Sequence, residues 1–485
     1  MKKRILMVCA VTALTMMTAV AQPVLGKGAE NRKVDAETLL AARQAGVHEG
    51  HDVWVVEGKK HVKQVVVMGM DLEALVTATV PHSGDWEPLA TALDDGRLSL
   101  MLADRSSSKR TTILGCTVDL GTGAVSDVDT LYAASYGRKD DCMVWASVSP
   151  DKSKMALASI VTYNDEKRYE TFIAVYDHEL GRIWAREYPL VTMYEMFLTD
   201  EARVVTLGLE EEGEETRLVF NTLGKTKSES LAATVKCDPI KELHLVNVVG
   251  SRAVAMGLYH PIEGRHADRY TQGVIGLAFD VDKAELSGLT MRPFQNEDMN
   301  LFLNRHTKKL QRDQMCDHIE LLGTAATPFG GVLAAGRVVR VETTNSAGSV
   351  QIENHDFGIH VVAVDTTGAV TWVRNVRRND VAKKHTELLQ VSLVQDGDYT
   401  CVVKSEHPKE PAIYDIAKEG RSYEAGDKGN LVVYSIAENG DVEKVLVERK
   451  SGQAHVRTMM RPDGTLVLLT SNGSKSRLAE LKFRR

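Results

Sequence analysis

Short apolar runs alternate with turn residues along almost the whole chain after Asp52. Two stretches follow one plan, "FIAVYDHELGRIWAREY" from residue 172 and "IHVVAVDTTGAVTWVRNV" from residue 359. Each has an apolar run of about five residues, an acidic residue, a turn that ends in glycine, and a second run around a tryptophan. This pattern predicts a β-hairpin, and we expect Gly181 and Gly368 to supply the positive φ of its tight turn.

The hairpin pattern recurs six times along the chain. An acidic or equivalent residue marks each copy: Asp119, Asp177, Asn221, Asp280, Asp365 and Ser435. Two further strand-like runs precede each marker, so the unit is four antiparallel strands, and a repeat of roughly 40–50 residues is typical of a β-propeller blade. The central runs are apolar on both pleat faces, as at Val204, Val205 and Leu207, which suits a sheet packed between two neighbouring sheets. The sequence therefore predicts an all-β fold, a β-propeller of four-stranded antiparallel blades.

The two ends of the chain decide how the ring closes. Residues His455–Phe483 predict three strands, and the N-terminal runs "DVWVVEG" and "KQVVVMGM" are spare strands. If an N-terminal strand joins the C-terminal three, no sheet edge stays open. We predict seven blades, with six and eight also compatible. The end "RPDGTLVLLTSNGSKSRLAELKF" also admits a second interpretation, a cleaved type IX secretion signal, which we disfavour because the N-terminal strands would then lack a partner.

The N-terminus has the pattern of a secretory signal peptide over residues 1–21. A basic start is followed by an apolar stretch from Ile5 to Val20 and small residues up to Ala21, after which we expect cleavage. No other segment has the roughly 18 apolar residues that a membrane-spanning helix needs. We expect an exported protein of the periplasm or outer cell surface. Residues 22–51 are interpreted as a linker with a short helix over Asp35–Gly46, and residues 52–485 as the propeller.

Composition excludes some functions. The net charge is −7 and the charges are mixed, so no nucleic-acid partner is expected. The acidic run Leu209–Arg217 is interpreted as a solvated hairpin tip. Five cysteines remain after the signal: Cys116, Cys142, Cys237, Cys316 and Cys401. Their wide spacing fits neither a zinc site nor a dense disulfide framework, and the odd number leaves at least one unpaired. Any pairing stays open, as does the oligomeric state.

One segment, about residues 291–318, breaks the strand pattern and predicts a helical insertion. Here "FQNEDMNLFLNRHTKK", "PFGGVLAAGRVV" and "IHVVAVDTTGAVTW" resemble a family of uncharacterised exported proteins of Gram-negative bacteria that bear type IX secretion. The family's usual acidic residue after the Gly-Gly strand is replaced by Gly336. The resemblance covers about Phe294–Val376 and implies an exported propeller-like protein without an assigned activity.

The hairpins also resemble the "A-x-D-x-x-T-G-x-x-x-W" repeat of quinoprotein-type propellers and outer-membrane assembly factors. Only the copies with Trp184 and Trp372 match fully, and in that superfamily the tryptophan packs between blades. The vicinal cysteine pair of quinone dehydrogenases is absent, so we expect no quinone and no other cofactor.

Several polar stretches are candidate sites. "HEGHD" (His48–Asp52), "DHIE" (Asp317–Glu320) and "HDFGIH" (His355–His360) carry potential metal ligands, but none has the spacing of a known metal motif, and we interpret them as structural. The loops His260–Tyr270 and Glu406–Asn430 are the best candidates for a ligand-binding face. We assign no catalytic, cofactor-binding or metal residue.

Two functions of different classes remain after this assignment. We favour a non-enzymatic binding or scaffold propeller of the cell envelope with a protein or glycan ligand. The alternative is a propeller-type glycan hydrolase or lyase with acidic residues at the central channel. Two convergent carboxylates and an aromatic platform at the channel mouth would favour the enzyme.

Overall fold

The structure is a computed structural model in which part of the chain is described. It describes residues 22–25, 30–31, 42–57, 63–69, 71–81, 86–190, 193–212, 215–226, 231–237, 239–261, 270–302, 316–344, 350–382, 390–406, 423–424, 429–448, 454–461, 465–471 and 476–484. None of the helices in these residues is long and apolar enough to cross a membrane.

The strands of the N-terminal half form four consecutive sheets after two short leading strands. The leading strands are β1 (Gln22–Leu25) and β2 (Glu30–Asn31). Blade 1 comprises β3 (Arg43–His48), β4 (His51–Glu57), β5 (Lys63–Met68) and β6 (Ala74–Thr79). Blade 2 comprises β7 (Trp86–Asp94), β8 (Arg97–Ser107), β9 (Arg110–Asp119) and β10 (Asp129–Ser135). Blade 3 comprises β11 (Asp141–Val148), β12 (Lys154–Tyr163), β13 (Arg168–Asp177) and β14 (Arg182–Tyr188). Blade 4 comprises β15 (Glu195–Leu198), β16 (Val204–Glu212), β17 (Glu215–Leu223) and β18 (Leu231–Cys237).

The C-terminal half adds four more sheets and the helix. Blade 5 comprises β19 (Ile240–Val249), β20 (Arg252–Tyr259), β22 (Gly273–Asp280) and β23 (Glu285–Pro293), with β21 (Tyr270–Thr271) between its second and third strands. Helix α1 (Asn296–Leu301) and β24 (Cys316–Asp317) follow, and β24 pairs with β21. Blade 6 comprises β25 (Ile319–Thr327), β26 (Gly330–Thr344), β27 (Val350–Asp365) and β28 (Val370–Ala382). Blade 7 comprises β29 (Ser392–Asp396), β30 (Tyr399–Glu406), β32 (Asn430–Ala437) and β33 (Val442–Glu448), and β31 (Tyr423–Glu424) pairs with β28. Blade 8 comprises β34 (Ala454–Met460), β35 (Leu466–Ser471) and β36 (Ser476–Arg484), and β1 is its fourth strand.

The prediction of an all-β propeller with four-stranded antiparallel blades is confirmed, and the blade count is eight. The favoured count of seven is one short because residues 42–81 form a complete blade instead of two spare strands. The predicted helix over Asp35–Gly46 is wrong at its end, since Arg43 and Gly46 lie in β3 and pair with Val55 and Val53. Residues 35–41 lie outside the described part. Pairing with β4 outweighs the local helical preference of this segment.

The core of the ring is a series of apolar layers between consecutive blades. Each of the eight junctions, including that of blade 8 with blade 1, has its own cluster of buried side chains. Neighbouring residues of β16 show the alternation: Val204 packs against blade 3, and Val205 packs against blade 5. The prediction that central strands bury both faces is therefore confirmed, and each blade depends on both of its neighbours.

The predicted hairpins join the third and fourth strands of their blades. In blade 6, Asp365 Oδ1 accepts hydrogen bonds from the backbone N–H groups of Thr367 (2.7 Å) and Ala369 (3.1 Å), and Gly368 has φ +78°. In blade 3, it is Leu180, not the expected Gly181, that has the positive φ, +68°.

The repeated tryptophans lie at blade junctions. Trp184 donates from Nε1 to the carbonyl of Ala202 in blade 4 at 2.9 Å, and Trp372 belongs to the apolar cluster between blades 6 and 7. The insertion is represented by α1, whose Asp298 is tied to Arg292 of blade 5 and Asn375 of blade 6. The helix therefore braces two blades, and residues 303–315 of the predicted insertion lie outside the described part.

The ring closes between blade 8 and blade 1. Strand β1 pairs antiparallel with β36, so the C-terminal segment is part of a blade, as we favoured. The closing strand is residues 22–25, and not one of the two spare strands. Inside the junction, Arg461 donates to both carboxylate oxygens of Asp52, at 3.2 Å from Nε and 2.7 Å from Nη2. Asp52 is fully buried and Arg461 is 6% exposed.

Replacing Gly368 by Val is expected to lower the melting temperature far more than replacing exposed Ala369 by Val. A Cβ at Gly368 would lie 2.8 Å from the backbone nitrogen of Ala278 in blade 5, and a β-branched residue at positive φ costs about 1–3 kcal/mol. Thermal unfolding of the two variants measures the difference. Equal melting temperatures would contradict the assigned turn.

Replacing Arg461 by Met is expected to reduce the free energy of unfolding by about 3–5 kcal/mol, because Asp52 would then be a buried charge without its cation. The double variant Asp52→Leu/Arg461→Met should recover most of this loss, since no buried charge is left. The matched control is Arg97→Met, which breaks the exposed pair with Glu179 and should cost under about 1 kcal/mol. Urea denaturation gives all four values. A loss at Arg461 no larger than that at Arg97 would disprove the role of this pair in closing the ring.

Candidate functional site: the central channel

The first strands of the eight blades line the central channel. Strands β3, β7, β11, β15, β19, β25, β29 and β34 are the innermost of their sheets, and from blade 1 to blade 8 each contacts that of the next blade. Hydrogen bonds join these strands to the next strand or to the residue beside it, for example from Arg43 to Pro88 in β7 and from Arg457 to Ala42, just before β3. Side chains that are far apart in sequence therefore meet around one channel.

A histidine between two glutamates occupies the wall formed by blades 4 and 5. His244 of β19 contacts Glu195 Oε1 of β15 through Nδ1 at 2.7 Å and Glu242 Oε1 through Nε2 at 3.0 Å. All three side chains are about one-third exposed. The hydrogen bonds with Glu195 and Glu242 raise the pKa of His244 to about 9, so the ring is an imidazolium at neutral pH. Two carboxylates and one imidazolium leave this cluster with one net negative charge.

The wall formed by blades 6, 7, 8 and 1 contains a shallow, open depression of about 600 Å³ with two arginines. Arg43 and Arg457 line it together with three polar side chains (Gln44, Ser392 and Thr458) and four apolar ones (Ala42, Leu322, Leu393 and Met459). Desolvation by the surrounding protein lowers the pKa of both guanidinium groups, although part of Arg43 stays exposed to solvent. No acidic residue of the described part of the chain lines this cavity.

Backbone carbonyls hold both guanidinium groups in place. Arg43 Nη1 donates to the carbonyls of Pro88 at 3.0 Å and Leu89 at 2.5 Å, and Arg457 Nη1 donates to the carbonyl of Ala42 at 3.1 Å. Within the described residues, no carboxylate forms an ion pair with Arg43, and its Nε and Nη2 have no protein acceptor. These donors remain for a ligand.

The two groups of side chains lie on opposite blades of the ring. In a ring of eight blades, blade 1 lies opposite blade 5 and blade 8 lies opposite blade 4. Trp145 Nε1 donates to the carbonyl of Tyr194, next to Glu195, and Thr458 N donates to Ser392 Oγ on the cavity wall. With the Arg43 and Arg457 bonds, these contacts link the innermost strands near the charged groups. Arg43 and Arg457 therefore lie on the innermost strands of blades 1 and 8, and His244 and Glu195 lie on those of blades 5 and 4.

The potential metal ligands predicted from sequence have structural roles where they are described. His48–Asp52 forms the β3–β4 hairpin, with Glu49 and Gly50 at positive φ, and its Asp52 closes the ring. In Asp317–Glu320, Asp317 accepts a hydrogen bond from buried Arg337 Nη2 at 2.5 Å. His360 is fully buried, and its Nδ1 lies 2.8 Å from Asn375 Oδ1. No group of three potential ligands that could hold a metal ion occurs among the described residues.

The two candidate ligand loops fall largely outside the described residues. Residues 262–269 of the first and 407–422 of the second are not described. At the edge of the second loop, Glu406 is 7% exposed and accepts hydrogen bonds from Tyr434 Oη, at 3.0 Å, and from Lys444 Nζ. The Glu406 carboxylate therefore stabilises the packing within blade 7.

The acidic run Leu209–Arg217 lies on the β16–β17 hairpin, as predicted, with residues 213–214 outside the described part. Three cysteines, Cys116, Cys142 and Cys401, are free and buried, and burial raises the pKa of each thiol. They are packing residues of the blades.

Comparison with known proteins identifies no family for the chain. No protein-family model matches it, and no curated protein matches it. Solved structures do match it. The β-propeller domain of the Trilobed protease from Pyrococcus furiosus has 10% identity and a TM-score of 0.35, and the match covers 82% of this chain and 95% of that one.

Two enzymes are also among the matched structures. Prolyl oligopeptidase B from Galerina marginata has 10% identity and a TM-score of 0.40, with 90% of this chain and 56% of that chain covered. Polysaccharide lyase Uly1 has 10% identity and a TM-score of 0.35, with coverage of 96% and 98%. At these values the similarities carry no argument about function, and the fold rests on the strand pairing of the chain itself.

Stability is expected to depend on pH through His244. Its folded pKa, about 9, exceeds the ordinary value of 6.5, so its contribution is fully present below pH 6.5 and is lost as pH rises through about 9. We expect the difference in free energy of unfolding between the native protein and His244→Gln to shrink across this window. Denaturant unfolding at a series of pH values measures it, and a difference independent of pH would contradict the protonated state.

Proposed function

We propose that this protein is an exported, non-enzymatic binding propeller of the cell envelope or cell surface, with its ligand site in the central channel. The N-terminal pattern of a signal peptide supports export. Strand β1 begins at Gln22, directly after the expected cleavage site, so removal of the signal would leave the ring-closing strand intact.

The proposal that the function is non-enzymatic rests on the protonation and hydrogen bonding of His244. Both of its ring nitrogens are engaged by carboxylates, and the ring is protonated at neutral pH. An imidazolium has no lone pair to accept a proton from a substrate, and here neither N–H is left to donate one. Glu195 and Glu242 both contact the ring of His244, so the cluster links blade 4 to blade 5.

The alternative, a glycan hydrolase or lyase, is favoured by one feature. Glu195 and Glu242 are two carboxylates brought together from neighbouring blades at the channel, as a glycoside hydrolase requires of its acid pair. The position of His244 argues against this alternative. Its imidazolium lies between the two carboxylates, where a hydrolase would hold the glycosidic bond.

A turnover assay separates the two functions. Purified mature protein is incubated with neutral and acidic polysaccharides, and reducing ends and unsaturated uronates are measured beside the Glu195→Gln/Glu242→Gln double variant. We expect no turnover by either protein, and binding to envelope components in capture experiments and on a glycan array. Turnover that is lost in the double variant would establish the enzyme. Cell fractionation with N-terminal sequencing tests export, with Gln22 as the expected first residue.

A further inference from the structure

The junction of blades 6 and 7 contains a cavity of about 470 Å³, a volume typical of small-molecule sites. In an antiparallel blade, the turn between the first two strands and the turn between the last two lie at the same end of the sheet. Four such turns surround the cavity. Phe329 and Thr366 lie in those of blade 6, and Asp398 and Glu438 lie in those of blade 7.

A tryptophan without a hydrogen bond lines this cavity. Trp372 is the third residue of the last strand of blade 6, and Trp184 holds the same position in blade 3. Trp184 donates from Nε1 to the carbonyl of Ala202 in the next blade, at 2.9 Å. Trp372 is only 8% exposed, yet its Nε1 has no acceptor within the described part of the chain. A buried indole N–H usually has a partner, so this donor is unused.

The difference between the two tryptophans comes from the first turn of the following blade. In blade 4, residues 199–203 separate β15 from β16, and this turn contains Ala202, whose carbonyl accepts from Trp184. In blade 7, only residues 397–398 separate β29 from β30. The shorter turn provides no acceptor for Trp372, which lines a cavity instead.

The remaining walls of the cavity offer hydrogen-bond acceptors and an aromatic surface. Asp398 and Glu438 are exposed, and neither forms a hydrogen bond or an ion pair with another described residue. Phe329 is 44% exposed. A ligand that fits must accept from the indole, donate to carboxylates and cover an aromatic ring.

A sugar meets these three requirements, because each hydroxyl both donates and accepts and the C–H face of the ring is apolar. We propose that this cavity binds a neutral saccharide, with a hydroxyl oxygen on Nε1 of Trp372, further hydroxyls on Asp398 and Glu438, and the sugar ring against Phe329. The cavity lies between two blades and not in the channel, so the inference goes beyond the function proposed above.

The charges of the lining argue against other classes of small ligand. No basic residue of the described part lines the cavity, so an anion would meet two carboxylates without a compensating cation. A simple ammonium ion would pair with the carboxylates, but it has no acceptor for the indole N–H. An apolar ligand would leave the indole N–H and both carboxylates without hydrogen bonds.

Isothermal titration calorimetry with matched probes tests the ligand class. The neutral probes are glucose, galactose, cellobiose, maltose and lactose, the anionic counterparts are glucuronate and galacturonate, and acetyl-triglycine-amide represents a neutral peptide. We expect at least one neutral sugar to bind with a dissociation constant below about 10 mM. We expect both uronates to bind at least about fivefold more weakly than this sugar, because of charge repulsion.

Variants of the two tryptophans assign the site. Trp372→Phe keeps an aromatic ring and removes the N–H, so it should weaken saccharide binding about threefold to tenfold. Trp184→Phe, the matched control, should bind as the native protein does, but it should lower the melting temperature more, because it breaks a hydrogen bond within the protein. Phe329→Ala, at an exposed position, should weaken binding without changing the melting temperature.

Three outcomes would overturn the proposal: native affinity in both Trp372→Phe and Phe329→Ala, uronates that bind as tightly as the neutral sugars, or no binding of any sugar. Binding of acetyl-triglycine-amide in that last case would indicate a peptide site. If Trp372→Phe fails to fold, Phe329→Ala and the comparison of probes decide. The turnover assay described above tests the carboxylates of the channel, so failure of the proposed function and failure of this site are observed separately.

Discussion

Closure of the ring between blade 8 and blade 1 is the constraint on which the rest of the structure depends. Every blade has two apolar faces, and each face is buried only because a neighbouring blade covers it. An open ring would expose one face at each end and an unpaired edge on β36. Both ends of the chain contribute to closure, since β1 and β36 form one sheet.

The closing junction combines apolar and ionic contacts. Trp54 and Val66 of blade 1 pack with Val467 and Leu469 of blade 8, and the pair of Asp52 and Arg461 lies in the same junction. A buried ion pair is not in itself a strong source of stability, because both charges lose their hydration. However, the two hydrogen bonds from one guanidinium make this pair directional. The pair therefore fixes the orientation of blade 8 relative to blade 1.

The repeat could be predicted from the sequence because it is a local pattern. Each hairpin marker comes with its own turn glycine or acidic residue and with apolar runs of strand length, and the pleat of β16 shows its two buried faces in consecutive residues, Val204 and Val205. The first blade has a weaker local pattern. Its strand β3 contains the residues "RQAGVH", which have no strand alternation, and it is a strand because β4 lies beside it.

The candidate site could not be predicted, because its residues form no local sequence pattern. His244, Glu195 and Arg43 lie on three different blades, and each is a single polar residue in or beside an ordinary strand. Motifs such as His48–Asp52 contain several potential metal ligands close together in the sequence, but their residues stabilise the fold of the ring. In a propeller, function depends on residues that the ring brings together from separate repeats, and sequence proximity says little about them.

The charge distribution around the channel depends on which groups bind the charged side chains. On the wall of blades 4 and 5, the carboxylates have a cation supplied by the protein, and that side is internally compensated to within one charge. On the innermost strand of blade 1, backbone carbonyls hold the guanidinium group of Arg43, which forms no ion pair with a carboxylate of the described residues. Carbonyl dipoles fix a guanidinium in position at a smaller electrostatic gain than a carboxylate gives, so the charge stays available. A protein that needed only to brace its channel would gain more from an ion pair here. Arg43 is therefore the charged group that stability explains least, and it is where a ligand has the most to add.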